Sequence, residues 1–336
     1  MDELDKTLQD MQLQSDEDWD KRIERAVNRR IRNIALRTVL AVLLALAVIF
    51  LCISPVMNAL YTNPAKWNSD APDGEPSTLM QVLDAWAETT YPYREFDYID
   101  VKKNGFGAYT LDLHMFDRTN HIQVGAAPNV TMTMKRGHLA VTSDPDALMN
   151  ARLGLFEAPD EKMSAADLAD TMQSIEELPN SCQLAVALTV KKPRKVADLK
   201  KEETDRLSMD WVRVYQPERA AQEEFQGGIA LHTIKGTNPY REDMTDEELK
   251  QTFVAHLQLL RDHEALWSGL PLFSGNMGYG SDPALLNDLI KDVEQMDVLR
   301  TRDYCISGPK QEILNYLKQR KLTWVDLLSV RLSEYN

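Results

Sequence analysis

Residues 29 to 57 read RRIRNIALRTVLAVLLALAVIFLCISPVM, four arginines in nine positions and then a run without a charge. No other stretch limits the fold as strongly. Thr38 to Met57 is 20 residues, about the length a helix needs to cross ~30 Å of hydrocarbon. Its five Leu, four Val, two Ile and one Phe contribute roughly −4 to −7 kcal/mol towards insertion. Only Thr38, Ser54 and Pro55 oppose that. A core helix of a water-soluble domain carries a polar stripe, and this run has none. A cleaved export signal is also basic and then apolar, but here 37 residues come first and SPVMNALYTN offers no small-x-small cleavage site. The run reads as a retained transmembrane helix. Pro55 denies a donor to the carbonyl four residues before it, so the helix is expected to be weaker there.

Orientation follows from the basic residues, because Lys and Arg beside a span are retained on the cytoplasmic side. Residues 21 to 37 hold seven of them against one acid, Glu24, with Arg29, Arg30, Arg32 and Arg37 nearest the run; the 20 residues after Met57 hold one, Lys66. The N-terminus is expected inside and residues 58–336 outside. The basic block lies against the bilayer, which makes membrane lipid its partner and not nucleic acid.

Beyond Met57 the chain carries 30 basic and 43 acidic side chains, a surface that also disfavours nucleic acid, with apolar content for one or two packed domains. Three cysteines, one of them in the span, exclude a disulfide-dense scaffold and a thiolate zinc finger. The order of segments predicts an α+β class: a single transmembrane helix with an extracytoplasmic mixed helix/sheet domain. The expected divisions are 1–37 (cytosolic tail and basic juxtamembrane helix), 38–57 (span), 58–77 (linker), 78–160 (first α+β subdomain) and 161–336 (second). In the first subdomain TLMQVLDAWAETTYP is helical with Ser77 as its cap, and four alternating stretches follow, the last folding back at Arg136-Gly137. In the second, CQLAVALTVKK, SMDWVRVYQ, GGIALHTIKG, YCIS and LTWVDLLSVRL read as strands, and SAADLADTMQSIEELP, TDEELKQTFVAHLQLLRDHEALW, DPALLNDLIKDVEQMDV and QEILNYLKQRK as helices.

Few residues in this outer part suggest chemistry. Ser307-Gly308-Pro309-Lys310 fits the S-x-x-K spacing of serine acyl enzymes without their partner motifs; a strand end and a helix start explain it better. SGNMGYGSD lacks the strand and the Lys-Ser/Thr of a phosphate loop and reads as a surface loop. His256 and His263 lie seven apart on one helix face without an H-E-x-x-H pattern, so no metal, cofactor or enzymatic activity is expected. Cys182 and Cys305 both fall outside the cytosol on predicted strands, which makes a disulfide between them an expectation worth testing against two separate core positions.

The N-terminal segment says more. Ser15-Asp16-Glu17-Asp18 has the form of a capping box, starting a helix that runs through the basic block with Ile23, Val27, Ile31 and Ile34 on one side. Residues 1 to 20 hold eight acids and one lysine, with Leu4, Leu8 and Met11 at i, i+4, i+7, the spacing of a helix that enters a groove. A disordered acidic tail is the alternative.

SDEDWDKRIERAVNRRIRNIALRTVLAVLLALAVI resembles the N-terminal module of the sigma-factor-regulator family, membrane-anchored anti-sigma proteins of Gram-positive bacteria. IEELPNSCQLAVALTV, MDWVRVYQ, GIALHTIKG, LLRDHEALW and ISGPKQEILNYLKQRK resemble its C-terminal module. The resemblance implies a protein that sequesters an extracytoplasmic-function sigma factor until an envelope signal frees it. Leu4, Leu8, Met11 and Trp19 would form the contact surface. A regulatory protease or accessory membrane protein is a further partner. The alternative is a single-pass envelope sensor or scaffold with a ligand-binding outer domain and no direct sigma-factor binding.

Overall fold

The computed structural model describes residues 2–70, 76–90, 94–119, 122–126, 130–141, 163–221, 225–232, 244–267, 270, 272–274, 277–279 and 283–332. Helix α1 runs unbroken from Asp2 to Val48, about 70 Å at 1.5 Å per residue. Ser15, expected to start a helix, lies inside it. No Gly or Pro interrupts residues 2 to 48, and Leu, Glu, Gln, Lys and Met before Ser15 are all good helix formers, so the helix extends past the local capping signal.

At Ile49–Ile53 the helix widens into a π turn and resumes as α2, Ser54–Leu60. The site is the one Pro55 singles out. Its ring has no N–H for the Leu51 carbonyl and crowds it, and a turn with i→i+5 bonding is one way a helix absorbs that mismatch. Among the described residues, Ile23–Leu60 is the one helical stretch long and apolar enough to cross a membrane.

Met1–Met57 and Asn58–Asn336 form two separate units. The second is a mixed helix/sheet fold with two five-stranded antiparallel sheets. The stretch read as a linker, 58–77, carries structure of its own among its described residues. Pro64 starts a short helix, α3 (Pro64–Trp67), behind an Asn63 cap, Asn58 Oδ1 accepts the Gly107 N–H at 2.9 Å, and Asn68 Nδ2 donates to the Ile99 carbonyl at 3.2 Å. Helix α4, Thr78–Thr90, follows. Its cap is the expected one, Ser77 Oγ accepting from the Met80 N–H at 3.2 Å.

The first sheet contains β1 (Arg94–Gly105), β2 (Ala108–Thr119), β3 (Ile122–Ala126), β4 (Val130–Lys135) and β5 (His138–Val141), in the order β1-β2-β4-β5 with β3 beside β2. Arg136 and Gly137 both have positive φ, 52° and 82°, the I′ geometry that matches the twist of a two-residue hairpin. Val130, Met132 and Met134 turn inward, with Thr131 and Thr133 on the other face. That inner face and α4 share one apolar core.

The second sheet contains β6 (Cys182–Lys195), β7 (Ser208–Arg213), β8 (Gly228–Ala230), β11 (Arg300–Pro309) and β12 (Leu322–Leu332), in the order β12-β6-β11-β7-β8. The helices around it are α5 (Ala165–Glu177), α6 (Val196–Lys200), α7 (Pro217–Ala221), α8 (Asp246–Asp262), α9 (Pro283–Glu294) and α10 (Lys310–Lys318). Helix α8 starts with a capping box, Thr245 with Glu248. Between α8 and α9 lies a small hairpin, β9 (Leu272–Ser274) with β10 (Met277–Tyr279), where SGNMGYGSD reads as a loop. Strand β6 alternates in sequence, yet every residue from Leu184 to Val190 is buried. Leu184, Val186 and Leu188 join the main core, while Ala187 belongs to a smaller cluster on the opposite face with Trp211, Ala230 and Cys305.

The two predicted subdomains meet through α4. Ten of its residues are buried, and it packs on β1, β8 and α8. The Trp211 indole Nε1–H donates to the Glu88 carbonyl at 2.7 Å, and Glu88 Oε1 accepts the Ala230 N–H at 3.0 Å. The edge of β8 thus finds in a helix side chain the partner another strand would supply.

Candidate functional surfaces and polar clusters

On α1 the backbone of Leu4, Leu8 and Met11 is helical; their side chains lie outside the described residues. Trp19 is 62% exposed. Ile23, Val27, Ile31 and Ile34 are exposed as well and share one side of the helix. At 3.6 residues per turn Arg25, Arg29 and Arg32 fall opposite them, while Arg30 and Arg37 flank the apolar side; all five are exposed.

The S-x-x-K spacing does not assemble a nucleophile. Ser307 Oγ donates to Asp210 Oδ1 at 3.0 Å, next door on β7. The Lys310 ammonium turns away to the end of α5, donating to the Glu176 carbonyl at 2.7 Å, the Leu178 carbonyl and Asn180 Oδ1 at 3.3 Å. A buried cation there answers the orphan carbonyls and the negative end of the helix dipole. The helix α10 begins at Lys310, with Pro309 as the residue before it. Gly308, between Ser307 and Pro309, has φ 157°, and a Cβ on it would lie 2.3 Å from the Arg206 carbonyl oxygen.

A second grouping, unmarked in the sequence, joins Glu203, Ser208 and His232. His232 Nε2 is 2.5 Å from Glu203 Oε1 and 2.9 Å from Ser208 Oγ. Both partners meet the same ring nitrogen. A Ser–His–acid relay requires the acid on one nitrogen and the hydroxyl on the other, so this arrangement ties β7 to the end of β8 and is not a relay.

His256 on α8 and His263 at its C-cap part company. His256 Nδ1 faces Glu88 Oε2 at 3.6 Å; His263 Nδ1 lies 3.1 Å from the Leu259 carbonyl, and its ring stands edge-on to Trp67. Among the described residues no group of three or more His, Cys, Asp or Glu side chains is placed to hold a metal ion.

Cys182 and Cys305 are both free and buried, which corrects the expected disulfide. Cys305 pairs with Ala187 across β11 and β6, five residues along the strand from Cys182. At about 3.3 Å per residue that is some 16 Å, and alternation puts Cys182 and Ala187 on opposite faces. No disulfide spans that gap.

The densest polar cluster has Glu202 at its centre. Arg194 holds the carboxylate with two bonds, 2.8 and 2.5 Å, Arg320 Nη2 lies at 2.9 Å, and the Tyr316 hydroxyl donates at 2.9 Å. Burial alone would raise the Glu202 carboxyl; the bonds from Arg194, Arg320 and Tyr316 outweigh it and hold the group at about 2, against an ordinary 4.5. A carboxyl depressed in the folded state stabilises above its unfolded value and loses that contribution as pH falls through the folded one. Glu202→Gln is therefore expected to lower the urea midpoint at pH 7, with the difference from the parent shrinking between pH 4.5 and 2. A difference that stays constant across that interval would show that the carboxylate charge is not the source.

Comparison with family models, curated proteins and solved structures finds no match to this chain.

Proposed function

We propose that this chain is a single-pass membrane regulator, a member of the sigma-factor-regulator type, whose cytosolic helix holds an extracytoplasmic-function sigma factor inactive and whose globular unit lies outside the membrane. The observation that carries the reading is the continuity of α1. An acidic segment with Leu4, Leu8 and Met11 in helical register, a basic segment and the first half of the apolar span form one unbroken helix, Asp2–Val48, so the binding element is tethered at the bilayer by the same rod that enters it. Arg29, Arg30, Arg32 and Arg37 set the N-terminus inside by the excess of positive charge beside the span.

Sigma factors contact DNA phosphates through basic surfaces. An acidic helix with apolar anchors competes for such a surface by charge and by burial at once. The π turn ahead of Pro55 is a local weakness in the span, suited to a regulatory protease or accessory membrane protein that ends the inhibition.

The test is Leu8→Asp. In the proposed complex it removes a leucine buried in the partner's groove, worth roughly 1.5 to 3 kcal/mol, and adds the desolvation of a charge, at least about a tenfold weaker complex. The variant should stay in the membrane, fail to co-purify the sigma factor, and leave the target promoter active without envelope stress. Deletion of residues 2–20 that leaves an inducible reporter silent, with the protein normally abundant, would instead favour an anchored envelope sensor with no sigma-factor contact.

A further inference from the structure

Val27, Ile31 and Ile34 are 48%, 59% and 57% exposed on α1, and they precede the apolar run, where on the proposed topology no lipid covers them. Their spacing continues into the run. From Val27 the steps alternate four and three through Ile31, Ile34, Thr38, Ala41, Ala45 and Val48, the 3.5-residue period of helices wound about each other. Thr38 sits where the seam enters the apolar run, and its hydroxyl donates to the Ile34 carbonyl at 3.0 Å, which leaves that position without an outward polar demand. Ala41 and Ala45 are small residues four apart, which lets two backbones approach closely in lipid.

We infer that α1 pairs with a second copy of this chain along this seam, in parallel and in register; the inference rests on the membrane-crossing reading above. Charge selects the occupant. Arg25, Arg29 and Arg32 lie opposite the seam, and in a parallel pair the flanking Arg30 and Arg37 face Ala35 and Val42 of the other copy, so no cation meets a cation. The partner must be uncharged over the same length, enter the bilayer at the same height and run in the same direction. A second α1 meets all three conditions, and among the described residues this chain has no other helix able to cross a membrane. The next positions up the seam, Glu24 and Asp20, would set like charges face to face. The pairing therefore begins at Val27 and leaves the acidic segment free for its own partner.

Cys52 follows Val48 by four residues through the π turn, on the same side. It is exposed, whereas Cys182 and Cys305 are buried, so a native thiol reports on the seam. Full-length protein in native membranes is oxidised with copper phenanthroline and run on a non-reducing gel. The expected product is a dimer at twice the chain mass, lost in Cys52→Ser. In that Cys52→Ser background, Ala41→Cys, Ala45→Cys and Val48→Cys should restore the dimer, while Leu36→Cys, Leu43→Cys and Phe50→Cys on the opposite side give less than a tenth of its yield. Membrane-retained protein that cross-links nowhere, cross-links equally on both sides, or joins a chain of different mass overturns the pairing. Extraction of the protein by alkaline carbonate overturns the membrane reading itself, and the pairing with it.

Discussion

Gly228→Ala should destabilise the globular unit by about 3 kcal/mol or more, at the upper end of what overpacking a core costs. A Cβ at that position would lie 1.8 Å from Trp211 Cζ2 and 2.4 Å from two further indole atoms. The ring cannot easily retreat. It is buried beside Ala187, Ala230 and Cys305, and its Nε1–H is committed to the Glu88 carbonyl. Either the indole leaves and the N–H loses its acceptor, or β8 shifts against β7 and the Ala230 N–H loses Glu88. Urea unfolding of the detergent-solubilised chain, followed by tryptophan fluorescence, measures the loss. Pairing the change with Trp211→Leu isolates its cause, because removing the ring should make the two costs markedly less than additive. Additive costs would show that the indole is not the obstacle.

Lys310→Met comes next in size. Lys310 is 5% exposed; the substitution keeps most of its stem and removes the ammonium that three oxygens share. Two part-buried carbonyls at the end of α5 then lose their donor, at roughly 1 kcal/mol or more each, offset in part because a charge no longer has to be desolvated, for a net loss of about 1 to 3 kcal/mol. The loss should be local first, with faster hydrogen exchange in the last turn of α5 than elsewhere. An unchanged urea midpoint would mean that the ammonium contributes nothing there.

What could be read from the sequence follows the range of the interactions involved. The helical apolar run, the Ser77 cap and the Arg136-Gly137 turn are set by residues within a few positions of one another, and each appears as expected. Pro55 belongs with them, since its missing N–H acts four residues away and the helix widens there. Ser15 misleads for the opposite reason, as a capping signal ends a helix only where the preceding residues disfavour one. SGNMGYGSD conceals a hairpin because a three-residue strand is too short to show alternation. The cysteine pair fails on register: alternation assigns each residue a face within its own strand, but the offset between β6 and β11 is decided by the whole ladder. Arg320 is far along the chain from Glu202, as Ala230 is from Glu88, and such pairs leave no local trace.

Helix α4 makes the boundary near residue 160 a poor place to cut. A fragment lacking residues 78–90 would expose the β8 edge and strand the Trp211 indole, and a fragment ending before β6 would leave the buried face of α4 in water. Neither half owns a complete interior. The two sheets are therefore expected to open as a single foldon, with amides of α4 exchanging only when both come apart. Loosening one sheet is expected to weaken the other through that helix, so that the globular unit unfolds in a single cooperative step.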